Sequence, residues 1–249
     1  MSGIMQLEGN PSGIGIKRFG EATALRSQKA PGNTWFNRVI GLSEHEADQL
    51  DELLQFYRGV GLRGYLELTP GLAAEELPRR LSERGAYHCG FHAVTWGTPT
   101  PENRAPAPGV QVRPVSQSEV DVFLAVLLEG FGAPATIATN MKFWYGAPGW
   151  HLYLATVDGV PAGGAVLYED DGIGYMATAS TIPAMRGRGC QTALLNCRIA
   201  EAARHGCELL MAQCAFGSVS QQNMQRVGME MAYTKAIWTD AAAPGQAHV

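Results

Sequence analysis

Apolar residues recur along this chain at two spacings. From 120 to 129 they stand at Val120, Phe123, Leu124, Leu127 and Leu128, one stripe at helical spacing, with Ser116 or Ser118 ahead of it as an N-cap. β-like runs follow at 151–157, 160–168 and 173–182. Asp158-Gly159 separates the first two and an acidic turn at 169–172 the last two. Asp-Gly between two such runs is a hairpin signal, so a three-strand antiparallel meander is expected. Helical spacing returns over 191–204, with Ala193, Leu194, Leu195, Ile199 and Ala202 on the inner side. A strand at 208–214, a helix at about 218–226 stopped by Gly228, and a strand at 229–238 close this part. A short strand at 110–113 opens it, and a short helix around 137–144 precedes the meander.

The first half is patterned more weakly. Residues 35–40 are strand-like, Ser43 heads a helix at 44–57, and 64–68 is a strand. A helix at 73–84 ends at Gly85, and a strand runs on to Trp96. Leu81-Ser-Glu-Arg-Gly85 echoes Asn223-Met-Gln-Arg-Val-Gly228, and each precedes a strand ending in Trp, at 96 and 238. Between the halves, 97–109 holds four prolines and two glycines in 13 residues, a composition that builds no regular element. The expected organisation is a loose Gly/Ser/Gln-rich arm at 1–33, a small domain at 34–96, a linker at 97–109, a main domain at 110–239 and a loose tail at 240–249.

Composition narrows the function. Of 249 residues, 46% are hydrophobic and 17% charged, as in an ordinary folded protein. A net charge of −4 and a pI near 5.9 argue against a nucleic-acid partner. The most apolar short run, 122–128, is far too short to span a bilayer. With no signal-peptide core and five cysteines at no staple-like spacing, reduced thiols and a cytoplasmic location are expected. Cys89-Gly-Phe-His92 with His88 lacks a second Cys/His pair at ligand spacing, so no metal is expected.

The chemistry concentrates at 180–192. An extended segment meets Pro183, then Arg186-Gly-Arg-Gly189, then the helix of 191–204. A strand feeding a Gly-rich loop that opens a helix aims several backbone N–H groups and the positive helix end at one spot. Glycines at 187 and 189 clear the approach for an anion, and Arg186 and Arg188 add charge-assisted donors. Arg-x-x-Gly also occurs at 38–41 and 58–61, without this context. No Gly-Lys-Ser/Thr follows, which excludes a P-loop, and the antiparallel hairpin before the loop does not suit a dinucleotide βαβ unit.

With these elements in order, 110–238 resembles the GCN5-related N-acetyltransferases (GNAT), whose loop reads Arg/Gln-x-x-Gly-x-Gly/Ala. Arg186 and Gly189 fit it, Pro183 stands in the turn before, and Gln225-Arg-Val-Gly-Met229 falls where that family has its helix-ending Gly-Phe. The resemblance implies an α/β fold, a mixed and mostly antiparallel sheet flanked by helices, with 34–96 a smaller, degenerate copy. It implies acetyl-CoA or coenzyme A as cosubstrate, no metal, and transfer to the primary amine of a small molecule or peptide by direct attack on the thioester. The implied coenzyme contacts are Ala179, Ser180, Thr181 and Ile182 through the main chain, the loop Arg186, Gly187, Arg188, Gly189, Cys190, Gln191 and Thr192, and Asn223. The family's frequent tyrosine acid falls on Met224, and 173–182 carries no carboxylate. Glu129 as base and Tyr233 as acid are the candidates left, beside a neutral amine and water. Trp144, Tyr145 and Trp150 are read as an acceptor wall or as packing, and Glu169-Asp170-Asp171 as a lure for a cationic amine or a solvated turn. Homodimerisation is common in such folds. The alternatives to an enzyme are a non-catalytic acyl-CoA binder and a structural protein.

Overall fold

The computed structural model of the chain describes residues 7–102 and 104–241. They fall into two compact units, divided at 92/93 and again at 232/233.

The N-terminal unit begins where a loose arm was expected. Strands β1 (Ile14–Phe19) and β2 (Ala22–Ser27) form an antiparallel hairpin, and β2 pairs antiparallel with β3 (Arg38–Leu42). Ile14, Phe19, Ala22 and Ala24 are buried, and Asn10 ties the start of β1 by bonding both the N–H and the carbonyl of Ile14, at 2.7 and 2.8 Å. Averaged over 33 residues, the Gly/Ser/Gln content hides this short alternation. Residues 1–6, and the tail beyond 241, lie outside the described residues.

From β3 a 3-10 turn (Glu44–Gln49) leads into helix α1 (Leu50–Arg58), then β4 (Tyr65–Leu68) parallel to β3, then α2 (Glu76–Glu83). α1 buries Leu50, Leu53, Leu54 and Tyr57, the i, i+3, i+4, i+7 face. The Tyr57 hydroxyl lies 2.9 Å from both the Leu25 and the Arg38 carbonyls, fastening α1 to β2 and β3. Tyr57→Phe strips that donor from a buried site and is expected to cost about 1–2 kcal/mol in a denaturant titration. The sheet is completed by β5 (Ala86–Gly97) and β11 (Glu230–Asp240), in the order β1-β2-β3-β4-β11-β5. β11 had been expected wholly within the main domain; instead Ala236 pairs with Leu68 and Trp238 with Leu66, so 233–240 belong to the N-terminal unit. Local pattern marks a strand but not its partner.

The C-terminal unit follows the expected element order. After β6 (Val110–Pro114) come α3 (Val120–Phe131), a 3-10 stretch (Ala135–Trp144), and the meander β7 (Trp150–Val157), β8 (Val160–Asp170) and β9 (Ile173–Thr181). Then follow α4 (Cys190–Arg204), β10 (Leu209–Ala215) and α5 (Val219–Arg226). Strand order is β5-β10-β9-β8-β7-β6, with β10 parallel to β9. Asp158 and Gly159 take φ of 51° and 79°, as a two-residue hairpin turn needs. The former linker segment 97–109 lies within this unit. Along the chain the order meander, helix, parallel strand, helix and strand thus occurs twice, from β1 to β5 and from β7 to β11.

Candidate active site

β9 ends in a 3-10 turn at Pro183–Met185, and Gly187 and Gly189 then adopt φ of 78° and 88°. Both lie in the left-handed region that other residues enter only with strain. Gly189 is the N-cap of α4, no side chain caps it, and the Ala193 N–H donates to the Gly189 carbonyl at 3.0 Å. Among the described residues, the N–H groups of Gly187, Arg188, Gly189, Gln191 and Thr192 find no acceptor in the chain. Free donors, a helix N-terminus and two cleared glycines are the groups with which a main chain can hold an anion.

In the N-terminal unit, the turn that follows β3 is closed by side chains. The Ser43 hydroxyl accepts from the His45 N–H, and the Glu46 carboxylate accepts from the Ser43 N–H and hydroxyl and from the Glu21 N–H, at 3.0, 2.8 and 3.1 Å. Ser43 and Glu46 thus form a capping box at the start of the 3-10 turn. Burial opposes ionisation of Glu46, but these hydrogen bonds outweigh it and draw its pKa below the usual range.

Beside the loop in the C-terminal unit the sheet opens. β9 and β10 pair over three registers, Ile173–Leu209, Gly174–Leu210 and Tyr175–Met211, leaving 176–181 and 212–215 unpaired with each other. On the opposite edge β9 stays bonded to β8, and the Ile182 N–H donates to the Ala162 carbonyl at 2.9 Å. By antiparallel alternation, Ala179 and Thr181 then turn their main-chain groups to the open edge. A bulge between Val166 and Tyr168 bends this stretch. Its carbonyls are satisfied from inside: the fully buried Arg198 donates to the carbonyls of Val166, Thr178 and Leu194 at 3.1, 3.4 and 3.1 Å.

The expected coenzyme contacts around β9 and the loop gather here, with altered roles. Ser180 spends its hydroxyl on the Leu127 carbonyl at 2.8 Å, fixing α3. Arg186 donates to the carbonyls of Gly130 and Thr181 at 3.0 and 3.3 Å, so it holds the turn in shape. Arg188 is exposed and forms a long ion pair with Asp158 at 3.9 Å. Burial raises the Cys190 thiol, which suits a packing role. Gln191 is half-buried and Thr192 exposed, and the Gln191 amide makes no bond that shuts the loop among the described residues. Asn223, half-buried on α5, accepts from Arg226 of its own helix at 2.7 Å. One neighbour escaped the sequence reading: a Cβ on Gly189 would stand 3.0 Å from that of Ala107, in the former linker.

The two acid–base candidates fall in different units. Glu129 is exposed near the C-terminal end of α3, beside Gly130, where an added Cβ would come within 2.6 Å of Ser180 Cβ. Tyr233 sits on β11 in the part that belongs to the N-terminal unit. Met224 is buried with its sulfur 3.4 Å from the Thr95 hydroxyl. Trp144 and Trp150 are buried and stacked at 5.3 Å, which is packing, while Tyr145 is exposed. Glu169, read as part of an acidic turn, instead bridges two histidines.

A meander whose last strand diverges from its parallel neighbour, with a glycine loop opening a helix at the mouth, is the α/β architecture of the GNAT acetyltransferases. Residues 124–229 match the family model described as Acetyltransferase (GNAT) family. The chain is similar in structure to a GCN5-related N-acetyltransferase from Sphaerobacter thermophilus, with TM-score 0.69, 15% identity, and 91% of this chain and 82% of that one covered. It is similar to another from Kribbella flavida, with TM-score 0.64, 16% identity, and coverages of 94% and 90%. A tandem GNAT protein from the clavulanic acid biosynthesis pathway gives TM-score 0.60 at 15% identity, with 95% and 85% covered. At such identities the likeness is one of fold. No curated protein matches the sequence. Among the described residues, no helix is long and apolar enough to cross a membrane.

Proposed function

We propose that this protein is an acyl-CoA-dependent N-acyltransferase, most simply an acetyltransferase, acting on the primary amine of a small molecule or peptide. The observation that carries the reading is the uncapped, doubly glycine-cleared start of α4 beside the open edge of β9. In this reading the amides of 187–192 hold the coenzyme diphosphate and Arg188 adds charge. Ala179 and Thr181 pair with the pantetheine amides, and Arg186 and Ser180 keep the turn and the strand in place. Asn223 borders the coenzyme arm.

The amine nitrogen attacks the thioester carbonyl carbon, and a main-chain N–H at the open edge steadies the oxyanion. The carbon–sulfur bond then breaks, the amide forms, and the thiolate takes a proton. Glu129 is the candidate to receive the proton of the amine, and Tyr233 or water the candidate to protonate the sulfur. As a base, Glu129 replaced by Gln lowers kcat by about 10²-fold or more. The N-terminal unit is read as a second copy of the fold, supported by its matching element order and by a turn that Glu46 closes to anions.

Calorimetric titration of CoA and acetyl-CoA, followed by thiol release across a panel of amines, tests the proposal. Saturable binding and thiol release with one amine class are expected. Binding with no release on any amine would reassign the protein as an acyl-CoA binder, and absence of binding would remove both readings.

A further inference from the structure

At the end of α4 remote from the glycine loop, three side chains distant in sequence converge. His151 is on β7, Glu169 is near the end of β8, and His205 is the C-cap of α4. His151 Nε2 lies 3.2 Å from one Glu169 oxygen and His205 Nδ1 lies 2.6 Å from the other. All three ligand atoms fall within 4.8 Å of one another, and the imidazole centroids are 4.6 Å apart. The side chains are partly open to solvent, 35%, 18% and 34% exposed for His151, Glu169 and His205, so an ion can reach them.

We propose that His151, Glu169 and His205 form a binding site for a zinc-class divalent ion. A tetrahedral ion with bonds of about 2.0–2.2 Å needs ligand atoms about 3.3 Å apart, which these side chains reach by shifts of under about 1 Å. Two imidazole nitrogens and one carboxylate suit zinc and its neighbours in the transition series, whereas magnesium and calcium require shells of oxygen. Three protein ligands leave the fourth position to water.

The second layer supports the assignment. With Nδ1 on the metal, His205 turns Nε2 toward a Glu201 oxygen at 3.8 Å, the carboxylate–histidine arrangement that orients metal-bound imidazoles. Arg204 in turn holds the other Glu201 oxygen at 2.7 Å. On the metal through these atoms, His151 carries its ring proton on Nδ1 and His205 on Nε2. The C-terminal end of α4 also favours a cation.

The 15 residues of α4 set the metal about 22 Å from the glycine loop. Its role is to bind β7, β8 and α4 together at that end.

Zinc titration of the metal-free full chain tests the proposal, with magnesium as control and cobalt(II) as spectroscopic probe. Expected are one zinc bound with micromolar or tighter affinity, a raised melting temperature that magnesium does not reproduce, and an intense tetrahedral cobalt spectrum. The double variant His151→Ala/His205→Ala should lose all three, and Glu201→Gln should bind about tenfold more weakly. Millimolar affinity, a weak octahedral cobalt spectrum of the unaltered chain, or zinc binding unchanged in the double variant would each overturn it. None of these readouts depends on coenzyme binding, so the site stands or falls separately from the proposed activity.

Discussion

Gly189→Val is expected to abolish coenzyme binding while leaving the C-terminal unit folded. Residue 189 stands at φ of 88°, where a β-branched side chain is strained, and an added Cβ would already be 3.0 Å from that of Ala107. The backbone must rotate away, and the amides of 189–192 turn with it. Losing that convergence should weaken CoA by at least about a hundredfold, or roughly 2.7 kcal/mol. Strain alone should cost the fold only about 1–3 kcal/mol. Gly206→Ala is the control: Gly206 has φ of 83° just beyond the other end of α4 and open space around it. That variant should lose stability and keep its affinity. Undiminished CoA affinity in Gly189→Val would remove the diphosphate from this loop.

Arg198→Met should weaken the C-terminal unit and its open edge together. The guanidinium is fully buried, and among the described residues no carboxylate pairs with it. Burial pulls its pKa down to about 10, still cationic at neutral pH. What it supplies is donors to three carbonyls, two of them across the bulge between β8 and β9. Methionine fills the volume and supplies no donor, stranding the carbonyls of Val166 and Thr178 at about 1–3 kcal/mol each. Relief of the buried charge offsets part of this, so a net loss of about 2–3 kcal/mol is expected in denaturant unfolding. Because that bulge shapes the open edge of β9, the surviving folded fraction should also bind CoA more weakly. Wild-type stability in Arg198→Met would show that the bulge keeps its form without these bonds.

Much of this architecture can be read in the chain because its strongest signals are local. Asp158-Gly159 and the apolar runs on either side announce the β7–β8 hairpin, and the glycines at 187 and 189 mark the loop. What escapes is what depends on partners. The β1–β2 hairpin hides in a polar stretch because β1 buries only Ile14 and Phe19 and most of what β2 buries is small, Ala22, Ala24 and Ser27 beside Leu25. The placement of 233–240 beside β4 is a choice of neighbour that no local spacing encodes. Side-chain roles shift for the same reason: Arg186 meets main-chain carbonyls first, and Ser180 turns to α3. The histidine–glutamate cluster was invisible because its members are 18 and 36 residues apart, spacings that only the β7–β8 hairpin and α4 bring together.

The most direct measurement is a crystal structure of the protein with coenzyme A bound. The account predicts diphosphate oxygens about 3 Å from the amide nitrogens of the Gly187-to-Thr192 turn, with the pantetheine arm bonded to Ala179 and Thr181 along the edge that β10 leaves free. A nucleotide seated anywhere else, or a β9 edge still empty beside a bound coenzyme, would contradict it.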